Sequence, residues 1–153
     1  MNPLKHILLV EDNPKDLELT LAVLEDHHLA NGIAVARDGT EALDYLRARG
    51  QFQGRAKGLP AVVLLDIKMP KMTGIEVLRQ MKADSKLHLI PVVMLTSSRE
   101  EPDLTQCYAL GVNAYVVKPV GFPEFVDAVK QVGVFWAMLN EPPPGLDQPP
   151  HHA

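Results

Sequence analysis

Short apolar runs alternate with segments of helical periodicity along most of the chain. Five of the runs are rich in Val, Ile and Leu and are bounded by polar or turn residues, which is typical of β-strands. They cover residues 6–10, 33–36, 61–65, 91–95 and 114–117. Since strands that alternate with helices form a parallel sheet with helices on both faces, the pattern predicts one α/β domain with a doubly wound, five-stranded parallel sheet.

The segments between these runs carry signals for helix ends. The Asn-Pro pair at residues 13–14 predicts an N-cap and a first helical residue. Thr73 and Glu76 have the spacing of a capping box, which predicts the start of the third helix. The second helix is predicted from residue 40 to about residue 49. The fourth is predicted over residues 98–111, where the final glycine suits a left-handed position at a helix end.

Polar side chains follow four of the predicted strands. They are Glu11 and Asp12 after the first, Asp66 after the third, Thr96 after the fourth and Lys118 after the fifth. Because the carboxyl ends of parallel strands meet at one edge of a sheet, where open α/β folds bind their ligands, these groups are expected around one pocket. Singly, each has an ordinary explanation, such as a carboxylate that caps a helix or a surface lysine. Their combination at aligned strand ends indicates a site.

The chemistry of such a pocket points to phosphoryl transfer. Three neighbouring carboxylates repel one another unless a cation intervenes, and Mg²⁺ prefers hard oxygen ligands such as carboxylates and phosphate oxygens. A carboxylate such as Asp66 can then act as the nucleophile that forms an acyl phosphate. Because phosphoryl transfer passes through a loose transition state, the protein mainly positions groups and neutralises charge. The ion, the Lys118 ammonium and the Thr96 hydroxyl could do both.

On these residues the chain resembles the receiver domain of two-component response regulators, over roughly residues 5–132. The matching residues are Glu11-Asp12, Asp66 with Met69-Pro70 and Gly74, Thr96-Ser97 and Lys118-Pro119. The resemblance implies a flavodoxin-like receiver fold and a single-domain response regulator that accepts a phosphoryl group from a sensor histidine kinase. It also implies that the chain phosphorylates and dephosphorylates only itself and is not otherwise an enzyme.

The resemblance assigns a role to each residue of the predicted pocket. Asp66 would be the phosphoacceptor, and Mg²⁺ would be held by Glu11, Asp12, Asp66 and the backbone carbonyl of Lys68. The side chain of Lys68, two residues beyond the acceptor, occupies a position that influences the lifetime of the acyl phosphate in this family. Two opposed effects of a lysine there, on the attacking water and on the leaving charge, leave the rate open.

The remaining family positions concern the phosphoryl group and the response to it. Thr96 and Lys118 would contact the phosphoryl oxygens, and Thr96 with Tyr115 would form the switch that repacks the surface of the fourth helix and fifth strand. Ser98, two residues beyond the threonine, is the second position that influences the lifetime of the acyl phosphate.

Two further features resemble the stand-alone receivers that partner bacterial and cyanobacterial phytochromes. The connection at residues 47–59 is about ten residues longer than the family pattern, and the last helix ends in Phe135-Trp136. This resemblance implies a phytochrome-type kinase as the phosphodonor and a homodimer built partly from the C-terminal helix. The long connection contains several basic residues and Phe52, which predicts a flexible solvated loop or, as the alternative, a segment that docks a partner.

The last predicted helix is apolar on nearly all of its faces. A small domain cannot bury so much apolar surface by itself, so a second copy of the chain is the favoured cover. The alternative is that the tail folds back over it. The candidate dimer residues are Val134, Phe135, Trp136, Met138 and Leu139. The chain is therefore divided into a receiver domain at residues 1–140 and a Pro-rich, disordered tail at residues 141–153.

The composition limits the classes of partner and the cellular compartments that suit the chain. The net charge of −4 argues against nucleic acid as the main partner. The chain contains no apolar stretch that could cross a membrane and no apolar leader before the first strand, and its single cysteine, Cys107, suits a reducing cytoplasm. A scaffold that is never phosphorylated remains an alternative. An aspartate-dependent phosphatase is less favoured, because such enzymes place a second aspartate where this chain has Lys68.

Overall fold

The structure is a computed structural model that describes residues 6–26, 32–55, 58–98, 100–112 and 114–132. Its strands are β1 (Ile7–Val10), β2 (Ile33–Ala36), β3 (Val62–Asp66), β4 (Val92–Thr96) and β5 (Ala114–Val117). Its helices are α1 (Pro14–Asp26), α2 (Gly39–Leu46), α3 (Gly74–Ala83), α4 (Asp103–Ala109) and α5 (Phe122–Gln131), with a short 3₁₀ turn at Gly50–Phe52.

The strands form one parallel sheet in the order β2-β1-β3-β4-β5. This arrangement confirms the predicted doubly wound α/β fold. The connection from β1 through α1 to β2 leads to one edge of the sheet, and the later connections lead to the other, so the direction of winding reverses between β1 and β3. Such a reversal opens a crevice at the carboxyl ends of the two strands, which is where ligands bind in this class of fold.

Alternate residues of the central strands face opposite sides of the sheet, and both sides are buried. One core lies under α2, α3 and α4 and takes from β1 and β3 the side chains of Leu8, Val10, Val63 and Leu65. The other lies under α1 and α5 and takes Ile7, Leu9, Val62 and Leu64. Burial on both faces explains why these strands are continuous apolar runs in the sequence.

The predicted helix caps are confirmed. The Asn13 side-chain oxygen accepts hydrogen bonds from the backbone N–H groups of Lys15 and Asp16 at 2.9 and 3.0 Å. The Thr73 hydroxyl accepts from the N–H of Glu76 at 3.3 Å. Gly111 has φ +96°, the left-handed conformation expected where α4 ends.

Two helix boundaries differ from the predictions. α2 ends at Leu46 instead of near residue 49, because Ala48 adopts φ +51° and turns the chain out of the helix. α4 begins at Asp103 instead of at residue 98, because ahead of it Ser98 C=O accepts from Glu101 N–H at 3.2 Å, a bond between residues three apart instead of the four-residue spacing of an α-helix. Helix ends of this kind depend on single backbone conformations that periodicity does not encode.

The long connection after α2 packs against the domain at the amino-terminal edge of the sheet. The rings of Phe52 and Tyr45 meet edge to face with centroids 5.1 Å apart. The Arg55 guanidinium lies 4.2 Å from the centre of the Tyr45 ring, and its Nε donates to the Tyr45 carbonyl at 2.7 Å. The described part of this segment is therefore held by contacts on α2. The early end of α2 does not bring it to the edge that carries the predicted pocket.

Residues 133–153, which include the candidate dimer residues Val134, Phe135, Trp136, Met138 and Leu139 and the Pro-rich tail, lie outside the described residues. Within the described ranges, no helix has both the length and the apolar character that a membrane span requires.

Candidate functional site

Three carboxylates converge where β1 and β3 end. Val10 pairs with Leu65 in the sheet, so the residues that follow them along the chain, Glu11 and Asp66, lie side by side. One oxygen from each of Glu11, Asp12 and Asp66 lies within 4.8 Å of the others. Glu11 and Asp66 are buried and Asp12 is half-buried. The structure therefore brings the three predicted acidic residues together.

The ammonium of Lys118 enters this cluster from the end of β5. Its Nζ lies 3.2 Å from Asp66 Oδ1, 3.3 Å from Glu11 Oε1 and 3.1 Å from Asp16 Oδ2. The backbone N–H of Lys118 donates to the Thr96 carbonyl at 2.8 Å, which extends the β4–β5 pairing and directs the side chain over the sheet edge. Asp16 was not predicted from the sequence. Its only local signal is its place in the first turn of α1, where acidic residues are common.

Burial and like charge make the cluster electrostatically demanding. Burial, together with the hydrogen bond and negative charge of Glu11, raises the pKa of Asp66 to about 7, although Lys118 acts in the opposite direction. Burial alone would lower the pKa of Lys118, but the neighbouring Asp66, Asp16 and Glu11 carboxylates outweigh it, so this pKa lies above its ordinary value. Lys118 is therefore a fixed positive charge.

These groups suit a hard divalent cation. The single ammonium of Lys118 is shared among several carboxylates, which leaves the cluster with excess negative charge. The raised pKa of Asp66 indicates that the positive charge of Lys118 does not fully offset the burial of the ionised carboxylate and its repulsion by Glu11. Carboxylate oxygens at this separation are the ligands that Mg²⁺ and related ions prefer, so the donor set fits the predicted magnesium site.

The loop after β3 is held tightly beneath the cluster. The N–H of Gly74 donates to the Ile67 carbonyl at 2.8 Å. A Cβ atom at Gly74 would overlap the carbonyl oxygen of Asp66, so a larger residue there would push the acceptor strand end or the start of α3 aside. The close approach requires glycine at this position, which explains physically why Gly74 is among the residues that match the receiver pattern.

The two predicted switch residues lie on β4 and β5. The Thr96 hydroxyl is buried, donates to the Ser98 carbonyl at 2.9 Å and accepts from the Ser98 N–H at 3.3 Å. It is thus directed at the loop between β4 and α4. The Tyr115 ring is half-buried and meets the Tyr108 ring of α4 edge to face, with centroids 6.3 Å apart. Their roles in switching stay predictions.

The two predicted lifetime positions have different surroundings. Ser98 is exposed, and its Oγ accepts from the N–H of Glu100 at 3.0 Å. The ammonium of Lys68 lies 3.2 Å from Oε2 of Glu101, whose side chain is only 7% exposed. This ion pair joins the loop after β3 to the turn before α4. No sequence pattern indicates this ion pair, because the two residues are distant along the chain and Glu101 lies just before α4, whose start differs from the predicted one.

Comparison with known proteins agrees with this geometry. The family model described as response regulator receiver domain matches residues 7–130. Among solved structures, the bacteriophytochrome response regulator AtBRR is 62% identical, with 92% of this chain and 100% of that chain covered and a TM-score of 0.85.

Two curated relatives are also similar. The probable methanogenesis regulatory protein FilR2 of Methanothrix harundinacea is 40% identical over 137 residues, which cover 90% of this chain and 86% of the relative. Response regulator Rcp1 of Synechocystis is 36% identical over 135 residues, which cover 88% and 90%. The Mn²⁺-bound structure of Rcp1 has a TM-score of 0.70 at 34% identity, with 91% of this chain and 99% of that chain covered.

Proposed function

Because the chain belongs to the response regulator receiver family, a family of signalling proteins in which phosphoryl acceptance is typical, we propose that it accepts a phosphoryl group onto Asp66 from a sensor histidine kinase. One observation carries this assignment. Asp66 is a buried carboxylate at the end of a central strand, beside two further acidic side chains, with the Lys118 ammonium 3.2 Å from its oxygen. A nucleophile surrounded by charge-balancing groups is what acyl phosphate formation requires.

The transfer forms a bond between an Asp66 carboxylate oxygen and phosphorus and breaks the phosphorus–nitrogen bond of a phosphohistidine, whose nitrogen keeps the electron pair. Glu11, Asp12 and Asp66, with the Lys68 carbonyl, would hold Mg²⁺, which when bound neutralises charge on the phosphoryl oxygens. Lys118 orients Asp66 through its hydrogen bond and favours the ionised carboxylate, and its ammonium can bind the oxygens of the new phosphoryl group.

The response would begin at Thr96. Its hydroxyl now bonds the β4–α4 loop through Ser98, and a phosphoryl group on Asp66 offers a more negative acceptor. A move of Thr96 toward that group releases the loop. The adjoining contact between Tyr115 and Tyr108 can then repack, which changes the surface of α4 and β5 that a partner meets.

A phytochrome-type kinase is the proposed donor. The support is the 62% identity over 92% of this chain with a protein described as a bacteriophytochrome response regulator. The relative FilR2 is a probable methanogenesis regulatory protein, so the experiment below uses a phytochrome kinase directly as the donor. We further assign the chain to the cytoplasm, as a protein without separate enzymatic activity or nucleic-acid binding. We also propose that the chain forms a homodimer through the predicted C-terminal residues, beginning at Val134 and including Phe135 and Trp136.

The proposal is tested with a phytochrome histidine kinase that carries labelled phosphate on its histidine. Label should pass to the wild-type chain and to Asp127→Asn, which changes an exposed carboxylate on α5, and should not pass to Asp66→Asn. Sustained hydrolysis of a phosphomonoester that Asp66→Asn abolishes would instead indicate a phosphatase. Partner binding that is identical in wild type and Asp66→Asn, without any transfer of label, would indicate a scaffold.

A further inference from the structure

The ion pair between Lys68 and Glu101 links the phosphoacceptor loop to the start of α4. Lys68 follows Asp66 by two residues, and its Nζ lies 3.2 Å from Glu101 Oε2. The two partners differ in burial, since the Lys68 side chain is 69% exposed and that of Glu101 is 7% exposed. A largely buried carboxylate depends on its cation far more than an exposed lysine depends on its carboxylate.

Glu101 forms several of the hydrogen bonds that hold the start of α4. Its N–H donates to Ser98 C=O at 3.2 Å, and its own carbonyl accepts from Leu104 N–H at 3.0 Å. Its Oε1 accepts from the N–H of Asp103 at 3.5 Å. Leu104 is buried in the core cluster against which Tyr115 packs. A change in the charge balance at Glu101 therefore reaches the start of the helix and its packing.

Lys68 can reach a phosphoryl group on Asp66. Two residues of extended chain separate their Cα atoms by at most about 7 Å, and the lysine side chain is a flexible four-carbon stem with three donors. A phosphoryl group brings about −1.5 to −2 charge and three strong acceptor oxygens, whereas Glu101 offers one negative charge. The ammonium thus has two alternative acidic partners, and phosphorylation supplies the stronger one.

We propose that Lys68 exchanges partners on phosphorylation, leaving Glu101 for the phosphoryl oxygens, and that this exchange loosens the first turn of α4. The inference rests on the proposed phosphorylation of Asp66 and deepens it by naming a second connection to α4 beside Thr96. Because coupling between sites is reciprocal, Glu101 also opposes phosphorylation by holding Lys68 away from Asp66.

The test is equilibrium binding of beryllofluoride, a tetrahedral analogue of the phosphoryl group, to the full chain in the presence of Mg²⁺. Glu101→Gln should tighten binding by about 3- to 10-fold because it frees Lys68, and Lys68→Met should weaken it by a similar factor. In the Lys68→Met background, Glu101→Gln should have no effect. Lys68→Arg should bind like wild type. Matched controls are Glu100→Gln and Lys71→Met, which change exposed neighbours and should leave affinity unchanged.

Amide hydrogen exchange supplies a readout that a purely structural ion pair would not move. In wild type, the analogue should speed exchange at the start of α4, in residues 103–105. In Lys68→Met, exchange there should already be faster before the analogue is added and should increase less afterwards than in wild type. The charge-swapped double variant, Lys68→Glu with Glu101→Lys, should recover the thermal stability lost in either single variant but not the affinity for the analogue.

The proposal is overturned if Glu101→Gln binds the analogue like wild type, or if it tightens binding equally when Lys68 is already Met. It also falls if the amides of α4 respond to the analogue in Lys68→Met as they do in wild type. Failure of the proposed function looks different. In that case wild type neither binds the analogue nor forms a covalent adduct at Asp66, and both proposals are lost together.

Discussion

Replacement of Asp66 by Asn should stabilise the metal-free protein, and the gain should depend on pH. Burial raises the pKa of Asp66 from 3.8 to about 7 in the folded state. Between these values the folded chain holds a proton at Asp66 that the unfolded chain has lost, so the contribution of Asp66 to the free energy of unfolding falls as pH rises from about 4 to 7. Asparagine resembles the protonated carboxyl and has no proton to lose, so its free energy of unfolding lacks this decline.

The size of the effect follows from the shift. A change of about three pKa units corresponds to about 4 kcal/mol between the two protonation states. This value already includes the charge and the hydrogen bond of Lys118, which act to lower the pKa of Asp66. Lys118 keeps Glu11 and Asp16 as partners. We therefore expect a gain of up to about 4 kcal/mol at pH 8 and a smaller gain near pH 4.5.

Chemical denaturation of wild type and Asp66→Asn in chelator, at several pH values from 4.5 to 8, measures this difference. The control is Asp127→Asn, an exposed carboxylate on α5, for which the difference from wild type should not change with pH. Added Mg²⁺ should stabilise wild type more than Asp66→Asn and so reduce the gap. A difference that is constant across this pH range, or an Asp66→Asn variant less stable than wild type at pH 8, would refute the reasoning.

Three other substitutions test the structure more locally. Gly74→Ala should destabilise the fold by about 2 kcal/mol or more in denaturant titrations, because the new methyl group overlaps the Asp66 carbonyl, whereas Gly58→Ala, where the added atom meets open space, should have little effect. Lys118→Met should slow labelling by a small phosphodonor at least about tenfold without weakening Mg²⁺ binding, measured by thermal shift. Tyr45→Phe should lower the free energy of unfolding by about 1–2 kcal/mol, because the Tyr45 hydroxyl forms a 2.7 Å hydrogen bond with the buried His6. For each of these three substitutions, a variant that behaves like wild type in the stated measurement would contradict the expectation.

The sheet and most of the site could be predicted because both follow from local sequence and simple topology. The apolar runs identified the strands to within about a residue, since strands buried on both faces admit few polar positions. Parallel pairing then placed Glu11, Asp12, Asp66 and Lys118 at one edge, whatever the details of packing between the helices.

Asp16 and Glu101 could not be predicted, because their roles depend on how helices sit over the sheet. In the sequence, Asp16 has only the pattern of an acidic residue in a first helical turn. The placement of α1 over the sheet brings its Oδ2 to 3.1 Å from the Nζ of Lys118. Glu101 lies just before α4, where the sequence pattern predicts the first turn of the helix, and its contact with Lys68 is made between distant segments. Contacts between helices and the sheet cannot be predicted from local patterns in a single sequence.

The central claim is that Asp66 is a magnesium-dependent phosphoacceptor, and intact mass after incubation with Mg²⁺ and a small acyl-phosphate donor tests it most directly. The account predicts one phosphoryl adduct on the wild-type chain, none when Mg²⁺ is chelated, and none on Asp66→Asn. The Asp127→Asn control should be labelled like wild type. An adduct that persists in Asp66→Asn, or a folded wild-type chain that binds Mg²⁺ and takes up no phosphoryl group from either this donor or a phytochrome kinase, would contradict it.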